Sequence, residues 1–388
     1  MRITAAASTD EDSIAAAKSV SHQALDNLQG EAVDLVFCFV SPHHLSQLDA
    51  ALDAVRSTLS PAHFVGCCAN GILSGGVEYE DQPAISLWAA ALPQADLSSF
   101  LIRPETTPEG VVLKGIARFP EGPSTLIILG DPFSFPTVQF IEAMATTFPE
   151  TQILGGMASA GLFRGENRLF CGTDVSPQGA VAVNISGKVD VRPVVSQGCR
   201  PFGQPMVITQ CTDNEIFELG GKPALERLAE EAQSLDSEDR AFLAQGLHIG
   251  RAVDASQVRG GHGDFLVRNV VRFDQHTGSI SASERMRAGQ TVRFHLQDPR
   301  AASEELCLLL DEVDQEPRAT PAGSLLFTCN GRGRRMFSVE HHDVKVVSGQ
   351  FGTLPLAGFF AAGELGPIGT KNFLHGFTAV LALFSPCS

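Results

Sequence analysis

The side chains that could do chemistry cluster in and around three glycine-rich segments. Glu364, in Gly363-Glu364-Leu365-Gly366, puts a carboxylate on a glycine turn. There it could pair with a ligand ammonium or accept backbone N–H bonds. Asn330-Gly331-Arg332-Gly333 follows an apolar run. Open α/β sheets bind ligands beyond the carboxyl ends of strands, and Arg332 could grip a ligand carboxylate through two parallel bonds. Arg334 and Arg335 follow closely and could add to an anion site, or the whole segment is a solvated basic turn. His375, beside Asn372, suits a haem ligand, a proton carrier, a hydrogen-bond partner or a satisfied structural histidine. His341-His342-Asp343 resembles a metal cluster. Consecutive helical residues point about 100° apart and chelate poorly, so no metal is expected. Cys67, Cys68 and Cys329 stand at strand ends beside glycines. A reactive thiolate needs a cationic neighbour or a helix N-terminus, and neither is local, so buried inert thiols are the alternative to covalent or redox chemistry. GxSxG, HExxH, GxGxxG and GxxxxGK[ST] patterns are absent, and no catalytic residue is assigned.

The elements that must position these residues recur along the chain. Residues 33–40 (VDLVFCFV) read as a strand buried on both faces, 45–59 as an amphipathic helix and 63–67 as a second strand. That strand runs into Gly66-Cys67-Cys68-Ala69-Asn70-Gly71. The same order returns at 125–129, 135–148 and 152–154, entering Gly155-Gly156-Met157-Ala158-Ser159-Ala160-Gly161. A third copy reads as a strand at 324–329, a helix over roughly 339–347 and a strand at 354–358, entering a glycine-rich turn over 358–366. A duplicated unit is one reading and chance similarity of βαβ units is the other. Between the second and third copies, 222–244 is helical and charged, and 264–272, 279–282 and 290–296 alternate as strands. Residues 299–314 read as a helix. Residues 259–264 (RGGHGD) read as a hairpin loop, with a lid over a pocket as the alternative.

The 388 residues carry 28 Lys+Arg against 44 Asp+Glu, a net charge of −16. That charge argues against nucleic-acid binding and against an anionic membrane surface. No apolar run approaches the roughly 18 residues of a transmembrane helix. The N-terminus turns acidic at Asp10, Glu11 and Asp12 before any secretory core forms. The nine cysteines are scattered without a CxxC, which fits reduced thiols in a cytoplasmic protein.

Several segments resemble the FIST sensory family. The most specific succession is Leu326-Phe327-Thr328-Cys329-Asn330-Gly331-Arg332-Gly333, then Leu356-Ala357-Gly358-Phe359-Phe360-Ala361-Ala362-Gly363-Glu364-Leu365-Gly366-Pro367, then Asn372-Phe373-Leu374-His375-Gly376-Phe377-Thr378. Asp264-Phe265-Leu266-Val267-Arg268 and Gly289-Gln290-Thr291-Val292-Arg293-Phe294 are similar to the FIST-C domain. Gly198-Cys199-Arg200-Pro201-Phe202-Gly203 and Gly220-Gly221-Lys222-Pro223-Ala224-Leu225 are similar to the end of FIST-N. Two departures stand out: the turn at 66–72 lacks an acidic residue, which weakens a charge-reading role there, and Thr370 replaces a glycine. The resemblance implies a signal-input module that binds small ligands, amino acids or their derivatives. Relatives fused to signalling modules or an F-box are longer, so a stand-alone sensor is expected. Some relatives are haem-dependent nitric-oxide sensors, so haem is admitted without being required.

The expected fold is α/β, with mixed buried sheets flanked by helices and repeated βαβ-glycine-turn-β units in two domains. FIST-N spans 1–225 with two copies; FIST-C spans 226–388 with the third. The expected function is binding of a small ligand where the glycine turns converge, between the domains, and signalling to a partner protein. Residues assigned to ligand contact are Cys67, Asn70, Gly155, Gly156, Asn330, Arg332, Phe359, Phe360, Glu364, Asn372 and His375. The alternatives are a haem or redox sensor, and an enzyme using Cys67, Cys329 or Glu364.

Overall fold

The computed structural model describes residues 1–387 except 109, 118, 120, 121, 255–264 and 317. By internal contacts the chain forms two compact units: Met1–Val195, Cys307–Leu374 and Thr378–Ser388 make the larger, Ser196–Leu306 and His375–Phe377 the smaller.

Three sheets of one plan build the larger unit. In the first, the apolar runs Leu35–Val40 and His63–Cys68 pair in parallel, joined by the amphipathic helix Leu48–Leu59. Ile85–Ala91 lies antiparallel beside the first of these strands, and Arg2–Ser8 lies outside it. The second sheet repeats this with Ser124–Gly130 and Thr151–Met157 around the helix Thr137–Thr147, flanked by Ala180–Gly187 and then Ala95–Thr107. The third uses Gly323–Cys329 and Leu356–Ala361 around the helix His342–Phe351, flanked by Ala379–Pro386 and then Val189–Ser196. The three parallel pairs begin within two residues of the expected repeat starts, and the identical strand order establishes the repeated unit.

Each sheet takes its remaining edge from a different repeat. The hairpin Gly71–Ser74 and Val77–Glu80 of repeat one completes the third sheet, against Leu356–Ala361. Leu169–Cys171 and Asp174–Ser176 of repeat two complete the first, against His63–Cys68. Glu364–Ile368 and Lys371–His375 of repeat three complete the second, against Thr151–Met157. This cyclic exchange covers strand edges that a single repeat would leave bare.

Strand alternation sorts the apolar residues. Leu35, Phe37 and Phe39 join Ile127, Leu129, Leu325, Phe327 and Phe359 in one core shared by all three sheets. Val36, Cys38 and Val40 face the helices Ser13–Leu28 and Leu48–Leu59 instead. Each fully buried Phe contributes about 2–3 kcal/mol relative to exposure.

The third repeat departs locally from expectation. Its helix begins at His342 because His341 is left-handed (φ 61°), and it runs on to Phe351. Residues 364–366, expected in a turn, open the strand Glu364–Ile368.

The smaller unit is an antiparallel sheet of Cys199–Thr212, Thr291–Gln297, Leu247–Ala252, Phe265–Asp274, Ser279–Ala282, Glu215–Leu219 and Lys222–Pro223, in that spatial order. Cys199–Thr212 also pairs with Glu215–Leu219, so the sheet closes on itself. Ile208, Ile216, Ile249, Phe294 and Leu296 fill its interior. Internal contacts gather all three repeats, 307–374 included, into the larger unit, a division different in kind from the expected boundary near 225.

Candidate functional site

The glycine segments meet within the larger unit. At equivalent positions of the three repeats stand Gly66, Gly155 and Gly358, across from Cys38, Ile128 and Leu326. A Cβ there would lie 1.9, 1.9 and 1.8 Å from the carbonyl oxygen of that partner residue. These glycines exist so that two parallel strands can approach, and Gly155 serves strand pairing instead of the ligand contact expected of it. Gly156 is walled by Ala361 and Phe359, at 2.9 and 3.1 Å from its would-be Cβ. Beyond the strands the turns bond to one another. The Asn70 N–H donates to Ser159 Oγ (3.0 Å), whose hydroxyl donates to the Phe360 carbonyl. Met157 N–H donates to the Gly363 carbonyl (2.8 Å), Ala362 N–H to Met157 (2.9 Å) and Asn330 N–H to Ala361 (2.9 Å). The convergence of the turns is therefore real, and it lies inside one unit, not between domains.

A small depression opens beside these turns, lined by Asn70, Gly71, Glu80, Asp81, Asn330, Arg335 and Phe360. Its volume is about 20 Å³, room for about one water molecule. The Phe360 ring is its floor, pressed against Gly71 and Gly333: a Cβ would sit 2.5 and 2.7 Å from ring carbons. Glu80 accepts from the Arg334 N–H (3.0 Å), and Arg334 Nη2 donates to the Glu80 carbonyl (3.1 Å) and to Asp81 (3.4 Å). Arg335 Nη1 donates to the Asn330 carbonyl (3.4 Å). Sequence reasoning assigned Asn70, Asn330 and Phe360 here, and flagged Arg335. It missed Glu80, Asp81 and Ser159; the acidic pair at the end of the short run that follows Gly75-Gly76 was the available signal.

Arg332 does not face a ligand. It is fully buried, and its guanidinium grips Asp343 through Nε–Oδ2 (2.8 Å) and Nη2–Oδ1 (2.7 Å). The expected two-bond carboxylate grip exists, but its partner is internal. Burial opposes the Asp343 charge, yet Arg332 outweighs it and holds the carboxyl below the usual range. Thr328 Oγ1 donates to Asp343 (2.6 Å), His342 Nδ1 lies 3.0 Å away, and Phe337 stacks on His342 with centroids 3.5 Å apart. The Asp343 and Val344 N–H groups donate to Glu78 Oε1 (3.0 and 3.3 Å), so repeat one caps a helix of repeat three. Burial and the Asp343 charge push Glu78 up to about 7. Glu78 N–H donates to His341 Nδ1 (3.1 Å), so every member of the His341-His342-Asp343 trio is engaged.

Glu364 is fully buried, not displayed on a turn. Its Oε2 accepts from the Thr378 hydroxyl (2.7 Å) and N–H (3.2 Å), with the Cys329 thiol also facing the carboxyl. Burial pushes it up to about 8 against these bonds. It pairs across the ladder with Gly156, as Leu169 pairs with Cys67 and Ile72 with Phe359. Repeat three thus places a carboxyl where repeats one and two place core aliphatics. Cys67 and Phe359 are also sealed in the shared core, and burial with Cys68 and Cys38 nearby pushes the Cys67 thiol well above its ordinary value. Such a thiol is a poor nucleophile. Asn372 acts as a ladder rung: its Oδ1 accepts from Ile153 N–H (2.8 Å) and its Nδ2 donates to the Thr151 carbonyl (2.9 Å). His375 is buried and groups with the smaller unit. The expected 259–264 loop lies outside the described residues.

Haem does not fit the cavities described. The depression and the two larger grooves, of about 440 and 500 Å³, are lined by no His, Cys, Met or Tyr that could ligate iron. Among the described residues no group of three or more His, Cys, Asp or Glu could hold a metal. No helix among them is long and apolar enough to cross a membrane.

Comparison with known sequences places this geometry. The FIST N domain matches residues 34–222 and the FIST C domain residues 224–367. An uncharacterized protein of Mycobacterium bovis is 41% identical over 385 residues, covering 99% of each chain. One of Mycobacterium tuberculosis is also 41% identical over 385 residues, covering 99% of this chain and 100% of its own. FIST domains are signal-transduction sensory domains, and this chain belongs to the FIST family.

Proposed function

We propose that this protein senses a small zwitterion of the amino-acid class at the depression between repeats one and three, and signals to a partner protein. One observation carries the reading: Arg335, the carboxylates Glu80 and Asp81 and the amides Asn70 and Asn330 converge on that depression. A guanidinium suits an α-carboxylate, the carboxylates suit an ammonium, and Phe360 offers an apolar floor. At about 20 Å³ the space must open to admit a ligand, and the exposed Arg335 and Asp81 side chains are the groups to move. A ligand that opens the junction has differential affinity for two states, as a sensor requires. None of the nine cysteines forms a disulfide, which supports a reducing, cytoplasmic compartment.

Thermal unfolding against the twenty amino acids tests this. A binding ligand at a hundred times its Kd stabilises by about 2.7 kcal/mol. Stabilisation by one chemical class, lost in Arg335→Ala and in Asp81→Ala, is the expected result. No shift with any amino acid, or a shift that survives both substitutions, overturns the assignment.

A further inference from the structure

The repeat places a second cleft where repeats two and one meet, equivalent to the depression where repeats one and three meet. Arg168 precedes its hairpin as Gly71 opens the hairpin of repeat one. Gln47 lies nine residues beyond Cys38 and Arg335 nine beyond Leu326, the residues that face the equivalent glycines Gly66 and Gly358. Here the space is not closed: about 440 Å³ is lined by Leu45, Leu48, Ala50, Val175, Ser46, Gln47, Asp49 and Arg168. That is within the range of small-molecule sites.

We propose that this cleft binds a small monocarboxylate with a short apolar body. Arg168 is held in place by its neighbours: Nη1 donates to the Gly165 carbonyl (2.7 Å) and the Asn167 carbonyl (2.8 Å). Both bonds use Nη1, so the guanidinium plane is set for a carboxylate at its other edge. Leu45, Leu48, Ala50 and Val175 give the apolar body a wall, and Ser46 and Gln47 offer hydroxyl and amide groups. Asp49 stands on the same rim and repels a second negative charge, which selects one carboxylate over two. This site is independent of the amino-acid reading, since it shares no lining residue with the first depression.

The probe is 4,4-azipentanoate, a monocarboxylate whose diazirine inserts into adjacent bonds on illumination, followed by peptide mapping of the full chain. Labelling is expected in peptides carrying residues 45–50 or 168–175. Excess isovalerate should compete, and glutarate should compete far less. Arg168→Ala should lower labelling about tenfold or more, the factor for losing a charged hydrogen-bond pair. Ala50→Trp, at an exposed position, fills the cleft without entering the core and should do the same. Arg335→Ala should leave it unchanged, which separates this site from the first. Labelling elsewhere, labelling undiminished in both cleft variants, or equal competition by glutarate overturns the proposal.

Discussion

Glu364 gives the most direct test of the physical account. Its folded pKa is about 8 against an ordinary 4.5, so the native state favours the protonated carboxyl. The sign follows: its contribution to stability is full below pH 4.5 and is lost as pH rises through 8. At pH 7 the native group still holds its proton while the unfolded one has released it, a loss of roughly 3 kcal/mol. Glu364→Gln keeps the shape and an acceptor for Thr378 but cannot titrate. About 2.5 kcal/mol of that loss falls between pH 5 and pH 7, and a change of 1 kcal/mol moves Tm by roughly 2–4 °C in a domain of 150–250 residues, so the variant should gain on the order of 5–10 °C over wild type across that interval. Glu78, pushed up to about 7, lowers stability in the same direction. It is present in both proteins, so the difference between the two curves isolates Glu364. The assay is thermal unfolding of both across pH 4.5–8.5. Parallel curves would refute the claim that this carboxyl is folded in its neutral form.

Other consequences follow from the same contacts. Gly155→Ala should destabilise by about 3 kcal/mol or more, since the new Cβ would fall 1.9 Å from the Ile128 oxygen at φ +137°; denaturant titration reads it, and Gly66→Ala and Gly358→Ala, which meet the same carbonyl clash without the positive φ, should also destabilise. Arg332→Ala strands a buried Asp343 and should lose about 3–5 kcal/mol by the same measurement, whereas Arg332→Met with Asp343→Leu should lose less than the single change. In native protein an alkylating reagent should label the exposed Cys307 and Cys387 and spare Cys38, Cys67 and Cys68 until the chain is unfolded, as mass mapping would show.

The strands and their repetition were legible because the apolar runs 33–40, 125–129 and 324–329 carry the period and length of buried strands. The hairpins that repeats one and three exchange were not. Gly71–Ser74 and Val77–Glu80 are four residues each, and Glu364–Ile368 five; what makes them strands is a partner edge far away in sequence. The same blindness misplaced the polar residues. Arg332 and Glu364 look like surface chemistry beside glycines, yet Asp343 claims the first and burial takes the second. Asn70, Asn330 and Phe360 do come together at the depression, because glycine turns mark close backbone approach whatever the tertiary partner.

The hairpin exchange explains why a site between repeats suits a sensor. The Gly71–Ser74 and Val77–Glu80 hairpin belongs to repeat one in sequence and to the third sheet in hydrogen bonding. Glu78 and Glu80 hold it there through the Asp343, Val344 and Arg334 N–H groups. A group that pries Arg335 and Asp81 apart therefore pulls on a strand edge of one sheet and on the turn leaving another. Packed sheets switch between discrete arrangements instead of deforming smoothly, because close-packed cores tolerate little continuous strain. An opening wide enough for an amino acid, in a space of about 20 Å³, must then be shared across the junction. The buried Glu364 stands on the strand paired to Gly155 and Gly156 of repeat two, where the other repeats keep leucine and isoleucine. Its carboxyl faces the Cys329 thiol, one residue before Asn330 of the depression, so an opening that shifts this strand end links ligand binding to the ionisation of Glu364, each shifting the other by the same factor; a ligand-induced thermal shift equal at pH 5 and pH 8 would refute it.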